Sequence, residues 1–136
     1  MDWLRVVDSA GRLQFFFGES EQHSSVVSVQ EIVAHRDGRE VRIRLDLEEY
    51  PESPPAKWVK AGNNVVQLVV SMIEVESLEL NGLARTMNLS VVAERDADVG
   101  LVRLTMSSDA VRFEATARFV DVVTVSGYRN EERIPQ

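Results

Sequence analysis

The sequence contains no cysteine, only two histidines, and no apolar run long enough to cross a membrane as a helix. Without cysteine the chain cannot form disulfides, cysteine-ligated zinc sites or a thiol nucleophile. A spanning helix needs about 20 mostly apolar residues, so we expect no membrane partner. Residues 1–5 show no basic segment leading into an apolar core, and we therefore expect a cytoplasmic protein without a secretory signal.

Basic residues are also scarce, because 15 lysines and arginines stand against 22 aspartates and glutamates, a net charge of −7. A protein that follows nucleic-acid phosphates or lies on anionic lipid needs basic surface. The composition therefore argues against both partners. The length of 136 residues and the hydrophobic fraction of 44% predict a single folded domain over residues 1–136.

Motifs that carry catalysis are missing as well. The serines form no Gly-x-Ser-x-Gly elbow and the glycines form no phosphate-binding loop. His23 and His35 have no second ligand at metal-binding spacing, so we expect neither a metal nor a cofactor. Glu74 and Glu76 share one strand region and suggest a glycosidase-like acid–base pair, but solvated carboxylates produce the same pattern. We expect a protein that is not an enzyme.

Valine is abundant, at 22 of 136 residues, and apolar residues alternate with polar ones along much of the chain. The clearest case is Val41, Ile43, Leu45 and Leu47, which alternate with charged residues and predict a half-buried strand. Asp37-Gly38 lies before this strand and after another apolar stretch. The pair predicts a β-hairpin with a two-residue type I′ turn.

The rest of the chain continues the strand pattern. Residues 65–80 predict a long strand with a bulge near Ser77, where the apolar positions change face, followed by a turn at Asn81-Gly82. Three more strands follow as a meander, and the dense apolar run 119–125 predicts a strand covered on both faces. Prolines make residues 50–55 a loop, which is followed by a helical turn over residues 56–60.

Helical spacing appears only near the N-terminus, where Asp2 is a plausible N-cap and Gly11 interrupts the pattern. A short helix followed by a turn and one longer helix both remain open there. The fold class that we predict is mostly β: a single-domain antiparallel β-meander with a short N-terminal helix. The meander is a curved sheet, a sandwich or a partly open barrel.

Acidic residues cluster at two places, beside aromatic or apolar neighbours. Aromatic anchors within an acidic rim suit a basic protein partner, because aromatics supply buried area and carboxylates steer association. Trp58 has two interpretations, as an interface anchor or as a side chain that closes one end of the core. The candidate partner-binding residues are Asp46, Glu48, Glu49, Tyr50, Glu52, Trp58, Glu74, Glu76 and Glu79.

Several short motifs along the chain resemble the immunity protein 50 family of bacterial polymorphic-toxin systems. They are Phe17-Gly18, the hairpin with Asp37-Gly38, Pro54-Pro55-Ala56-Lys57-Trp58, Asn64-Val65-Val66-Gln67-Leu68 and Leu80-Asn81-Gly82. The resemblance implies a small bacterial cytosolic protein that binds and neutralises a cognate toxin. It implies no catalytic residues, and we expect the toxin to be basic because many such toxins attack nucleic acid.

Two other interpretations remain open from the residues alone. The dense apolar strands at residues 65–72 and 119–125 have two faces that suit the wall of a cavity. They favour, as the alternative function, a β-barrel or cupped sheet that binds a small apolar ligand. Nothing in the terminal strands blocks pairing at an exposed edge, so a homodimer is a further expectation.

Overall fold

The computed structural model describes residues 2–18 and 23–133, which form six antiparallel strands and short helical segments. The strands are β1 Val26–His35, β2 Glu40–Leu47, β3 Val65–Asn81, β4 Asn88–Asp96, β5 Leu101–Ser107 and β6 Arg112–Tyr128. The α-helices are α1 Trp3–Val7 and α2 Ala56–Ala61. Single 3₁₀ turns cover Arg12–Phe15, Asp37–Arg39 and Glu131–Arg133.

All six strands belong to one sheet with the neighbour order β1-β2-β3-β6-β5-β4. The sheet curves until β4 pairs with β1, which closes it into a barrel over only three residue pairs, Val26 to Ser28 with Ser90 to Asn88. The predicted fold class, a mostly β antiparallel meander with a short N-terminal helix, is confirmed. Of the architectures left open, the structure shows a single curved sheet rather than a sandwich, and its edge strands β1 and β4 meet.

Strands β3 and β6 are the longest and pair with each other along their length. Midway along β3, Glu74 adopts a left-handed backbone conformation with φ 55°. The pairing register then shifts between Val75 and Ser77, which confirms the predicted bulge. Strand β2 pairs with β3 only as far as Met72, so the second half of β3 pairs with β6 alone.

Inward-facing side chains fill the space that the curved sheet encloses. Leu68, Val70 and Met72 of β3 lie at 0% exposure, and Phe113 and Val122 of β6 are equally buried. These strands therefore enclose packed side chains, as in a protein interior of ordinary density. The prediction that residues 119–125 are covered on both faces is wrong.

The outward face of β6 carries Phe119 at 60% exposure and Val123 at 40%. Both lie beyond the last pair of β5 with β6, Val102 with Ala117, so no strand flanks this part of β6 on the β5 side. An apolar run alone does not show which of its residues the sheet will cover. The coverage depends on how far each neighbouring strand extends.

The β1–β2 hairpin is confirmed, but the predicted two-residue type I′ turn is wrong. The last pair of the ladder is His35 with Glu40, which leaves four residues in the connection. They form a 3₁₀ turn, in which the Arg39 N–H donates to the Arg36 carbonyl at 3.0 Å. Positive φ falls on Gly38 and Arg39 rather than on Asp37, because a four-residue loop begins with helical residues.

The N-terminal segment consists of a short helix and a separate 3₁₀ turn, one of the two arrangements that the sequence left open. Asp2 caps α1, since its carboxylate accepts a hydrogen bond from the Leu4 N–H at 3.0 Å. Trp3, Leu4 and Val7 are buried and pack this helix on the sheet. Within residues 2–18 and 23–133, no helix is both long and apolar enough for a transmembrane span.

Candidate partner-binding surfaces

Four aromatic side chains meet at the end of the barrel where β2 ends and β3 begins. The Phe16 and Trp58 rings stack with centroids 5.0 Å apart and planes 13° apart. Phe15 packs edge-on against Phe16 at 5.3 Å, and Tyr50 lies 6.1 Å from Trp58. We refer to Phe15, Phe16, Tyr50 and Trp58 as the aromatic cluster.

The first 3₁₀ turn holds two members of the aromatic cluster at the surface. The Asp8 carboxylate accepts hydrogen bonds from the backbone N–H groups of Arg12 at 3.0 Å and Leu13 at 2.9 Å, which fixes the start of the turn. Leu13 and Phe17 are four residues apart and both buried, so they anchor the segment in the core. Phe15, which lies between them, is left 85% exposed.

Helix α2 supplies Trp58, and a glycine on β6 makes room for it. The helix ends at Gly62, which adopts φ 68°, and the Asn63 N–H bonds back to the Trp58 carbonyl at 3.0 Å. A Cβ atom on Gly127 would lie 2.8 Å from Trp58 Cδ2, so only glycine lets the indole lie against the strand. Trp58 is half-buried, and its neighbour Val59 is 62% exposed.

The core interpretation of Trp58 describes part of what is observed, and its role as an interface anchor stays a prediction. One side of the indole packs against the core and against Gly127, while α2 itself has no fully buried residue. In the aromatic cluster, stacking holds partly exposed rings rigid. Rigid, half-exposed aromatic side chains are what protein–protein interfaces use as anchors.

Asp46, the first of the predicted acidic residues, does not lie on the surface. It is 3% exposed and accepts hydrogen bonds from Gln67 Nε2 at 2.9 Å and from Gln30 Nε2 at 3.3 Å. The Tyr128 hydroxyl donates a third hydrogen bond to the same carboxylate. Asp46 therefore fixes strands β1, β2, β3 and β6 to one another, and its charge is satisfied within the fold.

The Tyr128 hydroxyl gives this network a pH dependence. Burial, together with the hydrogen bond and the charge of Asp46, raises the pKa of Tyr128 from 10.0 to about 12. The unfolded chain ionises first as the pH rises, so this stabilising contribution is complete below pH 10 and is lost between pH 10 and about 12. Urea unfolding at several pH values should therefore show a falling free energy of unfolding in that window.

A Tyr128→Phe variant is the control for that pH dependence. It removes the ionisable hydroxyl but keeps the ring, and the decline above pH 10.0 should become shallower. An identical decline in the variant would show that another group titrates and would contradict the assignment.

Of the remaining acidic residues in the segment 46–52, Glu49 is bound to other residues of the fold, and Glu48 and Glu52 are exposed. The Ser24 N–H donates to Glu49, and His23 Nδ1 lies 3.8 Å from Glu49 Oε2. Burial raises the pKa of Glu49, but hydrogen bonds from His23 and Ser24 outweigh it, so the pKa lies below its ordinary value. Glu48 and Glu52, two positions before and after Tyr50 in the sequence, are exposed. Burial raises the pKa of the Tyr50 hydroxyl.

The second acidic group lies at the opposite end of β3, so the structure does not bring the two groups together. Arg118 Nε lies 3.8 Å from Glu74, and Arg118 Nη2 lies 3.5 Å from Glu76. This arginine offsets both carboxylates. Glu79 pairs across the ladder with Glu114 and forms no ion pair with any other described residue.

Three features of these surfaces were not identified from the sequence. Phe15 and Phe16 are not among the predicted partner-binding residues, although both belong to the aromatic cluster. Gly127, a glycine inside an apolar strand, is a signal of close approach and would have indicated a large side chain against it. Tyr128 gave no signal, because its partner Asp46 is 82 residues away.

Among residues 2–18 and 23–133, no group of three or more potential ligands lies close enough to hold a metal ion. The fold is a small curved β-sheet that presents stacked aromatic rings, and the exposed Glu48 and Glu52 are near Tyr50 in the sequence. That arrangement is typical of a protein-binding surface.

Comparison with known protein families identifies the chain. The family model described as immunity protein 50 matches residues 10–128, which is most of its length. The chain belongs to the immunity protein 50 family, and the resemblance noted in its motifs is confirmed. No curated protein and no solved structure gives a significant match.

Proposed function

We propose that this protein binds and neutralises a cognate toxin by direct protein–protein contact. Membership of an immunity protein family supports this role. The single structural observation that carries it is the aromatic cluster, in which Phe15 is 85% exposed although it is a large apolar side chain. An exposed phenylalanine held on a rigid base suits an interface anchor, because it loses little conformational freedom on binding.

The toxin-binding surface that we propose is centred on the aromatic cluster. Trp58 and Tyr50 supply its half-buried base, and Phe15 its exposed tip. Glu48 and Glu52 are the acidic residues of this segment that remain free to meet a cation. Asp46 and Glu49 have partners within the fold instead. Asp46 is buried, and Glu49 is bound to Ser24 and His23.

The charge of the chain favours a basic toxin. A net charge of −7 speeds association with a positively charged partner and would allow the chain to occlude a phosphate-binding surface. We propose a cytoplasmic, non-catalytic inhibitor that needs no cofactor, since occlusion requires contact alone. The small apolar ligand is less well supported, because the inward-facing Leu68, Val70 and Met72 of β3 and Phe113 and Val122 of β6 are buried against the core.

The test is protection of cells that express the toxin domain encoded beside this gene. Co-expression of the wild-type chain should restore growth. A Phe15→Ala/Val59→Ala variant, which removes two exposed apolar side chains, should protect much less while remaining folded. Lack of protection by the wild-type chain, at a level of expression confirmed by immunoblot, would contradict the proposed function.

A further inference from the structure

The second half of β3 has an unpaired backbone edge. Its residues after Met72 pair with β6 on one side, while β2 has already left the sheet on the other. The 3₁₀ turn Asp37–Arg39 contacts β3 beside the end of β2. Among residues 2–18 and 23–133, no other strand pairs with this edge from Glu76 to Asn81. Every second N–H and C=O group there points away from β6 and remains open to a new strand.

An apolar strip follows the same edge on the inner face of the sheet. Leu78 and Leu80 pair with Ala115 and Phe113, both fully buried, yet the leucines themselves are 40% and 41% exposed. The strip is exposed because the sheet lacks a strand at this position. A strand added to the edge would cover both leucines and extend the core by one strand.

The side chains of the edge do not carry the usual protection against pairing. Natural edge strands are often blocked by lysine, proline or inward-pointing charges. The segment Ile73–Asn81 contains none of these, and its charges are the outward-facing Glu74, Glu76 and Glu79. A β-bulge also limits edge pairing, but the bulge between Val75 and Ser77 leaves Ser77–Asn81 in regular register with β6. Arg118 offsets Glu74 and Glu76, and Arg103 and Arg112 offset Glu114. Glu79 lies beside Glu114 and forms no ion pair with a described residue.

The charge decides which occupant suits the edge. Two copies of the chain would bring three glutamates from each edge together and add a repulsion between net charges of −7. A strand with outward-facing lysine or arginine and inward-facing apolar residues would meet Glu79 and the leucine strip at once. Like charges across a strand pair are destabilising and opposite charges are stabilising, so the second occupant is favoured.

We propose that an extended segment of the toxin, alternating basic and apolar residues, adds to β3 along Glu76–Asn81 as a further antiparallel or parallel strand. This inference rests on the proposed toxin binding and adds a second contact to it. The mode of recognition is strand addition, in which backbone hydrogen bonds supply affinity and alternate side chains supply specificity. The edge lies at the opposite end of β3 from the aromatic cluster, so one experiment can report the two contacts separately.

The experiment is residue-resolved amide hydrogen exchange by NMR, on the free chain and on its complex with the neighbouring toxin domain. Strand addition predicts new protection at alternate amides within residues 76–81. In the same complex, Glu79→Lys should weaken binding about fivefold more than Asp98→Lys. Asp98 is an exposed residue of the β4–β5 turn, and both variants change the net charge equally, so the difference between them reports the edge.

Three results would overturn the proposal. Protection around Trp58 without protection at residues 76–81 would remove the edge contact and leave the proposed function intact. Protected edge amides in the free chain, together with sedimentation as a dimer, would show that a second copy occupies the edge. Absence of any complex would contradict the proposed function and this inference with it.

Discussion

Replacing Trp58 with alanine is expected to weaken toxin binding by about 30-fold, which corresponds to about 2 kcal/mol for loss of an interface anchor. The indole is the centre of the aromatic cluster, since Phe16 stacks on it at 5.0 Å and Tyr50 lies 6.1 Å away. Its removal therefore leaves both neighbouring rings without support. Because Trp58 is half-buried, the free energy of unfolding should also fall by about 2 kcal/mol, roughly half the cost at a core position.

A second variant separates binding from stability. Phe15 is 85% exposed and contacts Phe16 only edge-on, so Phe15→Ala should change the free energy of unfolding by less than about 1 kcal/mol. It should still lower toxin affinity. Val99→Ala, on an exposed apolar residue of the β4–β5 turn, should change neither quantity. Equal effects of the Phe15 and Val99 changes on affinity would place the toxin elsewhere.

Replacing Gly82 with alanine is expected to lower the free energy of unfolding by about 3 kcal/mol, from backbone strain and a steric clash together. Gly82 follows β3 and adopts φ 84°, a backbone conformation that residues with a Cβ atom disfavour. A Cβ atom there would lie 2.2 Å from the Ala110 carbonyl oxygen, which belongs to the backbone and cannot rotate away. Equilibrium unfolding in urea measures the loss.

Gly100→Ala is the matched control, because it has the strain without the clash. Gly100 adopts φ 69° and has no atom within 4 Å of the position of a new Cβ. Its replacement should cost only about 1 kcal/mol, the penalty for an L-residue in the left-handed region. If both variants lost the same stability, the close approach of Gly82 to Ala110 would not be a real constraint.

Much of the fold follows from local patterns in the sequence. Val41, Ile43 and Leu45 alternate with charged residues and form β2, and the change of face near Ser77 is the observed bulge. The closure of the sheet does not follow from such patterns. It depends on three residue pairs between β1 and β4, which lie about 60 positions apart and leave no local signature.

The candidate surface is also hard to predict, because it too depends on contacts between residues that are far apart in the sequence. Asp46 alternates with buried leucines and thus resembles a solvated residue of a strand. Its burial depends on Gln30, Gln67 and Tyr128, which come from three other strands. Trp58 is among the predicted partner-binding residues, but its stacking on Phe16 joins segments that are far apart in the sequence and gives no local signal.

The proposed function can be tested by calorimetric titration of the purified chain with its cognate toxin domain, sought among the products of the adjacent genes. We expect a complex with the wild-type chain and an affinity at least about tenfold lower for Phe15→Ala, since an exposed anchor lost from an interface costs at least about 1.4 kcal/mol. No binding by the folded wild-type chain would contradict the proposed function. Equal affinity of the wild-type chain and Phe15→Ala would contradict the role of the aromatic cluster.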